Sequence, residues 1–195
     1  MKTPPPLIIL TGPSGAGKST VAEHLLSRKK IALRRFITCT TRPKRPGERS
    51  GRAYWFMTRE AFELDLAAGL FYESAEVYGN WYGSSTREME RLQRGRTPIL
   101  MIIDVQGMKT IKAQQPNAFV IFLDAPKSNL QHRLEARNGD PTDLKHRMAM
   151  VAKEERLQRL ADVCIVNEEG KVAQTVKIVE KTIQTFLKAT SRKTP

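Results

Sequence analysis

Residues 7–20 read L-I-I-L-T-G-P-S-G-A-G-K-S-T, and this stretch decides the fold of the chain. The mostly apolar run Leu7–Thr11 predicts a buried strand, and the stretch from Lys18 to about Ser27 has the pattern of a helix. The letters between them match G-x-x-x-x-G-K-S in the setting of a phosphate-binding P-loop, between a strand and a helix. A glycine-rich turn that matches by chance is the alternative, and the correct flanks on both sides make it the weaker interpretation.

The P-loop residues predict a site for a nucleoside triphosphate. Glycines allow successive backbone amides to turn toward the phosphates, and the helix presents its positive N-terminal end to them. Lys18 can reach the outer phosphates, and the Ser19 hydroxyl can ligate Mg²⁺. The predicted ATP-binding residues of this loop are Gly12, Pro13, Ser14, Gly15, Ala16, Gly17, Lys18, Ser19 and Thr20.

The bulk composition limits the class of protein. With 195 residues, 40% of them hydrophobic, the chain has the size of one domain or of one core with inserted subdomains. No apolar stretch approaches the length that crosses a bilayer, and the N-terminal residues do not resemble a signal peptide. Two cysteines, Cys39 and Cys164, suggest no disulfide framework. These features favour a cytoplasmic protein with reduced thiols and no membrane partner.

The net charge of +13 bears on the partners of the chain rather than on its folding. Nucleic acid is one explanation, and small phosphorylated ligands are another. The basic residues are spread along the chain and do not form the aromatic-interleaved basic stripe of a nucleic-acid module. We therefore expect phosphorylated small molecules as ligands and no specific nucleic-acid partner.

Alternating strands and helices predict an α/β fold, with a P-loop-type parallel sheet covered by helices on both faces. The chain forms a single domain in this interpretation, with a core at about 7–37, 93–126 and 160–189. An inserted subdomain for the acceptor at about 38–92 and a helical lid at about 127–159 interrupt the core. Predicted strands lie at 7–11, 36–41, 54–57, 71–78, 98–104, 118–123 and 163–166. Predicted helices lie at 18–27, 59–68, 85–95, 128–137, 142–160 and 172–189.

A polar loop in the inserted subdomain predicts a second phosphate site. Arg42 and Arg45 lie three residues apart in a segment stiffened by two prolines, and such a pair can clamp a phosphate with fixed guanidinium forks. The hydroxyls of Tyr54 and Tyr82 can add neutral donors to the same oxygens. A solvated surface loop is the alternative for a basic run of this kind, and the tyrosines favour the phosphate site.

Five motifs resemble those of the guanylate kinase family, in the order and spacing of that family. They are T-T-R-P-K-R-P-G-E-R-S-G-R-A-Y-W-F from Thr40, F-Y-E-S-A-E-V-Y-G-N-W-Y-G-S-S from Phe71, D-V-Q-G from Asp104, R-L-E-A-R from Arg133 and I-V-N from Ile165. The similarity covers about residues 7–188 and is far more specific than the P-loop. It implies transfer of the γ-phosphoryl group of ATP to GMP, which gives ADP and GDP.

The resemblance also implies roles for the charged residues around the two phosphates. The matching positions that hold the GMP phosphate are Arg42, Arg45, Tyr54 and Tyr82. Arg137 and Arg147 match lid positions that approach the transferring phosphoryl group. Asn167 lies in the segment beside the adenine of ATP. The acceptor oxygen is already anionic, so catalysis needs positioning and charge stabilisation rather than a general base. Lys18, Arg42, Arg137 and Arg147 are the predicted catalytic residues.

Three residues match the guanine pocket of the family. Glu73 stands where a carboxylate receives the guanine N1–H and exocyclic amine, Ser84 where a hydroxyl lies near O6, and Thr38 where a hydroxyl meets the base. Guanine presents two adjacent donors to a carboxylate and adenine does not, so a buried Glu73 can reject the wrong base by roughly 10⁴-fold. Taken alone, Glu73 would more readily be interpreted as a surface carboxylate on a strand, and the surrounding motif favours the guanine role.

The chain departs from the family pattern at Ile102, where the family commonly has a second acid two positions before the aspartate of D-V-Q-G. Asp104 remains, and it can hold Mg²⁺ through water as a Walker-B-type carboxylate does. A simple strand-ending residue is the alternative for Asp104. The segment Gly139–Pro141, between the two lid helices, is the predicted hinge for closure over the substrates.

Two other functions remain open from the sequence. A P-loop kinase for another phosphorylated acceptor fits the same two phosphate sites. Guanylate-kinase-like scaffold domains bind phosphopeptides without catalysis, but they typically lack the intact P-loop that Lys18 and Ser19 complete here. A nucleic-acid-binding role depends on the net charge alone and is weaker still.

Overall fold

The computed structural model describes residues 4–77, 79–138 and 141–191, without the side chains of residues 136–147. Within these ranges no helix is both long enough and apolar enough to cross a membrane. In chain order the elements are β1 (Leu7–Thr11), α1 (Lys18–Arg28), β2 (Arg34–Arg35), β3 (Cys39–Thr40), β4 (Trp55–Phe56), α2 (Arg59–Ala67), β5 (Phe71–Val77), β6 (Asn80–Ser85), α3 (Thr86–Gln93), β7 (Ile99–Ile102), α4 (Val105–Gln114), β8 (Phe119–Asp124), α5 (Lys127–Asn138), α6 (Pro141–Glu155), β9 (Val163–Val166) and α7 (Val172–Ser191). A 3₁₀ turn, Arg156–Leu160, follows α6.

A parallel sheet of order β2-β7-β1-β8-β9 forms the centre of the molecule. All five residues of β1 are buried, and alternate side chains face opposite layers. Leu7 and Ile9 pack with residues of α3 and α4 on one face. Ile8 and Leu10 pack with residues of α1 and α7 on the other. This double covering confirms the predicted α/β fold.

A second sheet, of order β4-β3-β6-β5, lies within the predicted inserted segment. β5 and β6 pair antiparallel, β6 pairs antiparallel with β3, and β3 pairs parallel with β4. Stacked rings of Phe62, Phe71 and Trp81 support this sheet, with centroids 4.3 and 5.8 Å apart. The sheet thus has its own aromatic packing beside the central layers.

The structure differs from the predicted elements in four places. The strand expected at 36–41 is shorter, since only β3 (Cys39–Thr40) lies in this range and it joins the second sheet, whereas β2 (Arg34–Arg35), which joins the central sheet, precedes the predicted range. β6 and α4 were not predicted at all. The capping box expected at Ser85 is wrong: Ser85 precedes α3 but its side chain caps nothing, and Glu88 pairs instead with Arg91. Both cysteines are free, as expected.

Candidate active site

The glycines of the P-loop take backbone conformations that other residues rarely adopt. Gly12 has φ 137° and lies so close to β8 that a Cβ there would collide with the carbonyl oxygen of Leu123. Gly17, at φ 92°, directly precedes α1 and has no side chain to cap the helix. The first amides of α1 are therefore left to an anionic ligand, which the positive end of the helix attracts.

Lys18 is anchored across the loop that it follows. Its Nζ donates hydrogen bonds to the carbonyl oxygens of Gly12, at 2.6 Å, and Pro13, at 3.0 Å. These contacts hold the ammonium over the mouth of the P-loop, where the outer phosphates of a nucleotide lie.

Asn167 braces the P-loop from behind, a role that the sequence did not suggest. Its side chain is 1% exposed, and Nδ2 donates to the Ala16 carbonyl at 2.8 Å while Oδ1 accepts from the Thr175 hydroxyl at 3.0 Å. Arg133 adds a second brace, with Nη1 donating to the Gly15 carbonyl at 3.0 Å. That Asn167 lies beside the adenine of bound ATP remains a prediction.

Arg42 is held in a network that the sequence analysis missed. Its Nη2 donates to both carboxylate oxygens of Glu48, at 2.8 and 3.0 Å, and Nη1 donates to the Pro43 carbonyl at 2.6 Å. Burial acts to lower the pKa of Arg42, but the hydrogen bond and charge of Glu48 outweigh it and leave the pKa raised. Glu48 also accepts the backbone N–H of Arg45 at 2.8 Å, whereas the Arg45 side chain is exposed. The only sequence signal for Glu48 was its place in the basic loop.

Tyr54 and Tyr82 line the cleft beside Arg42. Their rings meet edge to face with centroids 5.9 Å apart, and the Arg42 guanidinium lies 5.5 Å from the Tyr54 centroid. Burial raises the pKa of Tyr54 above its ordinary value, so its hydroxyl stays protonated and can donate to an anion at neutral pH.

Glu73 and Ser84 lie side by side on adjacent strands of the second sheet. They are register partners on β5 and β6, and the Ser84 hydroxyl donates to Glu73 Oε1 at 2.5 Å. Both are buried, as is Thr38. Burial raises the pKa of Glu73 to about 7; the Ser84 hydrogen bond opposes this rise, and the charge of Asp104 adds to it. A carboxyl so poorly solvated is ready to accept donors from a ligand.

Asp104 begins α4 at the carboxyl end of β7, beside β1 and the P-loop. Its Oδ1 accepts the backbone amides of Gln106, at 2.7 Å, and Gly107, at 3.1 Å, which fixes the carboxylate at the edge of the cleft. Ile102, where the sequence departs from the family pattern that it otherwise resembles, also lines the cleft and is 8% exposed. Among the described residues no three His, Cys, Asp or Glu side chains cluster for a metal.

One cleft brings together most of the predicted site residues. Of the predicted residues, it is lined by Gly12, Ser14, Gly15, Gly17, Lys18, Ser19, Thr20, Arg42, Arg45, Tyr54, Tyr82 and Asp104. Glu73 interacts electrostatically with Asp104, which lines this cleft. The side chains of Arg137 and Arg147, and the hinge residues 139 and 140, lie outside the described part of the chain. Glu48 and Glu154 also line the cleft and were not predicted.

Comparisons with known proteins point to one family. A family model described as Guanylate kinase matches residues 5–186. A guanylate kinase of Symbiobacterium thermophilum is 38% identical over 165 residues, which cover 84% of this chain and 78% of that protein. A guanylate kinase of Streptococcus pyogenes is 37% identical over 182 residues, which cover 92% of this chain and 85% of that protein. The crystal structure of guanylate kinase from Anaplasma phagocytophilum has a TM-score of 0.75 at 26% identity, with 94% of this chain and 87% of that chain covered.

Proposed function

The chain belongs to the guanylate kinase family and is a phosphotransferase that acts on GMP with ATP as donor, and we propose how its cleft carries out this transfer. The observation that carries the proposal is that Lys18 of the P-loop and Arg42 of the inserted sheet line the same cleft. Two phosphate-binding elements thereby face each other, as the transfer of a phosphoryl group between two anions requires.

On the donor side, the P-loop amides and Lys18 hold the ATP phosphates. The two carbonyls that now accept from Lys18 keep its ammonium at the mouth of the loop, so the lysine itself needs little reorganisation when the nucleotide enters. Charge that develops on the transferring group is then offset by an ammonium already in position.

On the acceptor side, Arg42, Arg45 and the tyrosines Tyr54 and Tyr82 hold the GMP phosphate. Glu48 occupies one edge of the Arg42 guanidinium, so the phosphate either uses the remaining N–H groups or displaces the carboxylate. In both cases Glu48 keeps Arg42 in the cleft before GMP arrives. No general base is assigned, because the attacking phosphate oxygen is anionic.

Glu73 selects guanine in this proposal. Its carboxylate accepts the guanine N1–H and amine, while Ser84 and Thr38 offer hydroxyls to the same pocket. The burial of all three side chains and the raised pKa of Glu73 support this role. A desolvated carboxylate that receives no hydrogen bonds lowers the affinity for a base that cannot donate them.

Ser19 and Asp104 are the residues that would hold Mg²⁺. A hydroxyl at the start of α1 and a carboxylate at the end of β7, completed by water and substrate phosphates, suit this cation, which seldom uses an all-protein cage. Bound there, Mg²⁺ supplies charge neutralisation of the phosphates. We also propose that Arg137 and Arg147 belong to a lid that closes over the substrates. The proposal further includes the inserted subdomain for the acceptor and a cytoplasmic location.

A panel of acceptors tests the function. With ATP and Mg²⁺, release of ADP should be fastest with GMP, slower with IMP, which lacks the exocyclic amine, and lower by roughly 10³-fold or more with AMP or ribose 5-phosphate. A Lys18→Ala variant, measured with the same panel, controls for contaminating kinases. Equal turnover of ribose 5-phosphate and GMP would instead identify a kinase for another acceptor, and binding of phosphopeptides without ADP release would identify a scaffold domain.

A further inference from the structure

Glu154 is a buried acid in the donor site that the proposed mechanism does not use. It lies one residue before the end of α6, its side chain is 6% exposed, and it lines the cleft together with Lys18 and Ser19. Its Oε2 is buried and makes no hydrogen bond to any described residue. By contrast, the two other acids of the cleft lining are hydrogen-bonded: Glu48 to Arg42 and Asp104 to backbone amides.

Two phosphate-binding groups of the P-loop act on Glu154 in a poorly solvated part of the cleft. Burial raises its pKa to about 7, and the Asp104 charge adds to the rise, while Lys18 and a hydrogen bond from the Ser14 backbone amide oppose it. A lysine and a P-loop amide are the groups that hold nucleotide phosphates. Because the P-loop lysine reaches the outer phosphates, a carboxylate facing both groups lies at the outer-phosphate end of the loop.

We propose that Glu154 is an internal anion that occupies the outer-phosphate end of the P-loop and that ATP must displace. This inference rests on the proposed function, since it takes the P-loop as the ATP site. A γ-phosphate and a carboxylate cannot share one amide and one ammonium, because like charges in a poorly solvated cleft repel strongly. When Glu154 is displaced, its helix moves with it. Binding of the triphosphate therefore shifts α6, which also carries Arg147.

The inference makes Glu154 a determinant of donor affinity that acts on the γ-phosphate. ADP leaves the outer-phosphate position empty and need not displace the carboxylate. Replacing Glu154 with the isosteric, neutral Gln removes the repulsion and should therefore favour ATP over ADP. A residue that merely fastens α6 to the core would affect both nucleotides in the same direction.

The test compares Glu154→Gln with the wild-type protein and with Glu155→Gln. Glu155 is the matched control, since it follows on the same helix and pairs with Lys127 at 3.4 Å, away from the cleft lining. Dissociation constants are measured by calorimetry for ADP and a non-hydrolysable ATP analogue with Mg²⁺, at about pH 8.5, where a carboxyl of pKa about 7 is ionised. Glu154→Gln should tighten the analogue by about tenfold and change ADP by less than about twofold. Glu155→Gln should change neither.

Unchanged or weakened binding of the analogue to a folded Glu154→Gln would overturn the inference. Hydrogen exchange of the wild-type protein tests it without a variant: amides of residues 148–155 should exchange faster with the analogue than with ADP, and identical exchange would overturn it. Wild-type protein that binds neither nucleotide would overturn the proposed function and this inference together. Normal GMP phosphorylation with no preference change in Glu154→Gln would overturn the inference alone.

Discussion

The Ser84 hydroxyl donates a 2.5 Å hydrogen bond to Glu73 Oε1, and the two residues are register partners on β5 and β6. The pairing of the strands therefore orients the carboxylate before any ligand arrives. In the proposed function, guanine brings its two donors to this carboxyl, whose pKa burial raises to about 7. We therefore expect the affinity for GMP to depend on the ionisation of this one buried group.

The KM for GMP should rise as the pH falls. Near pH 8 Glu73 is ionised and accepts both guanine donors, whereas below its pKa of about 7 it must first lose a proton. We expect KM to increase by about tenfold per pH unit below 7, with kcat at saturating GMP nearly constant. Initial rates between about pH 8 and about pH 6.5 measure this, above the second ionisation of the GMP phosphate, which lies near 6. A KM that stays flat over this range would contradict the assignment of Glu73.

The same carboxyl should destabilise the folded protein at alkaline pH. The folded pKa, about 7, lies above the ordinary value of 4.5, so its contribution to stability is fully present below about pH 4.5 and is lost as the pH rises through 7. Glu73→Gln should therefore exceed the wild type in free energy of unfolding by roughly 2 kcal/mol near pH 8.5 and by little near pH 5. Urea denaturation at both pH values measures the difference. Glu76→Gln, at an exposed position of the same strand, is the control for the loss of a carboxylate from β5.

Gly107 should be as important for GMP binding as the residues that touch the base. A Cβ at this position would stand 2.7 Å from Glu73 Oε2 and 3.1 Å from its Cδ, so Gly107→Ala pushes the carboxylate out of its place. We expect the KM for GMP to rise by about tenfold while ADP affinity changes by less than about twofold. Gly95→Ala is the control, because a Cβ there meets the flexible end of Arg34 at 2.8 Å and the Leu92 carbonyl oxygen at 3.3 Å, both outside the cleft lining. An unaltered KM for GMP in Gly107→Ala would show that Glu73 does not bind the base.

The donor half of the site could be predicted from the sequence because its geometry is local. The P-loop depends on a strand, a glycine loop and a helix that are contiguous in residues 7–28, so spacing alone locates its amides and Lys18. The strands β1, β7, β8 and β9 of the central sheet were equally predictable, since strands buried on both faces are mostly continuous apolar runs, whereas the edge strand β2 reads R-R and was missed.

The acceptor half depends on pairings that spacing does not encode. β6 reads N-W-Y-G-S-S, a turn-like composition that becomes a strand only because β3 and β5 flank it. The pairing of Glu73 with Ser84 also depends on an irregular register between Phe71 and Glu73. Glu154 is brought to the P-loop from more than a hundred residues along the chain, so only the tertiary structure reveals it.

Arg42 should carry most of the affinity for the acceptor phosphate. Its side chain is 12% exposed and its fork is fixed by Glu48, whereas the side chain of Arg45 is exposed. Arg42→Ala should lower kcat/KM for GMP by roughly 10²–10³-fold and Arg45→Ala by about tenfold, since the less solvated and better oriented charge loses more on truncation.

ADP affinity separates this role from a general loss of structure, and we expect less than about twofold change in both variants. Arg49→Ala, which removes another exposed arginine of the same loop, controls for the loss of positive charge. The order of the two effects follows from the orientation of the fork, because a preorganised guanidinium loses no side-chain entropy when the phosphate binds. Donor affinity that fell as far as acceptor turnover in Arg42→Ala would mean that the two phosphates do not have separate sites.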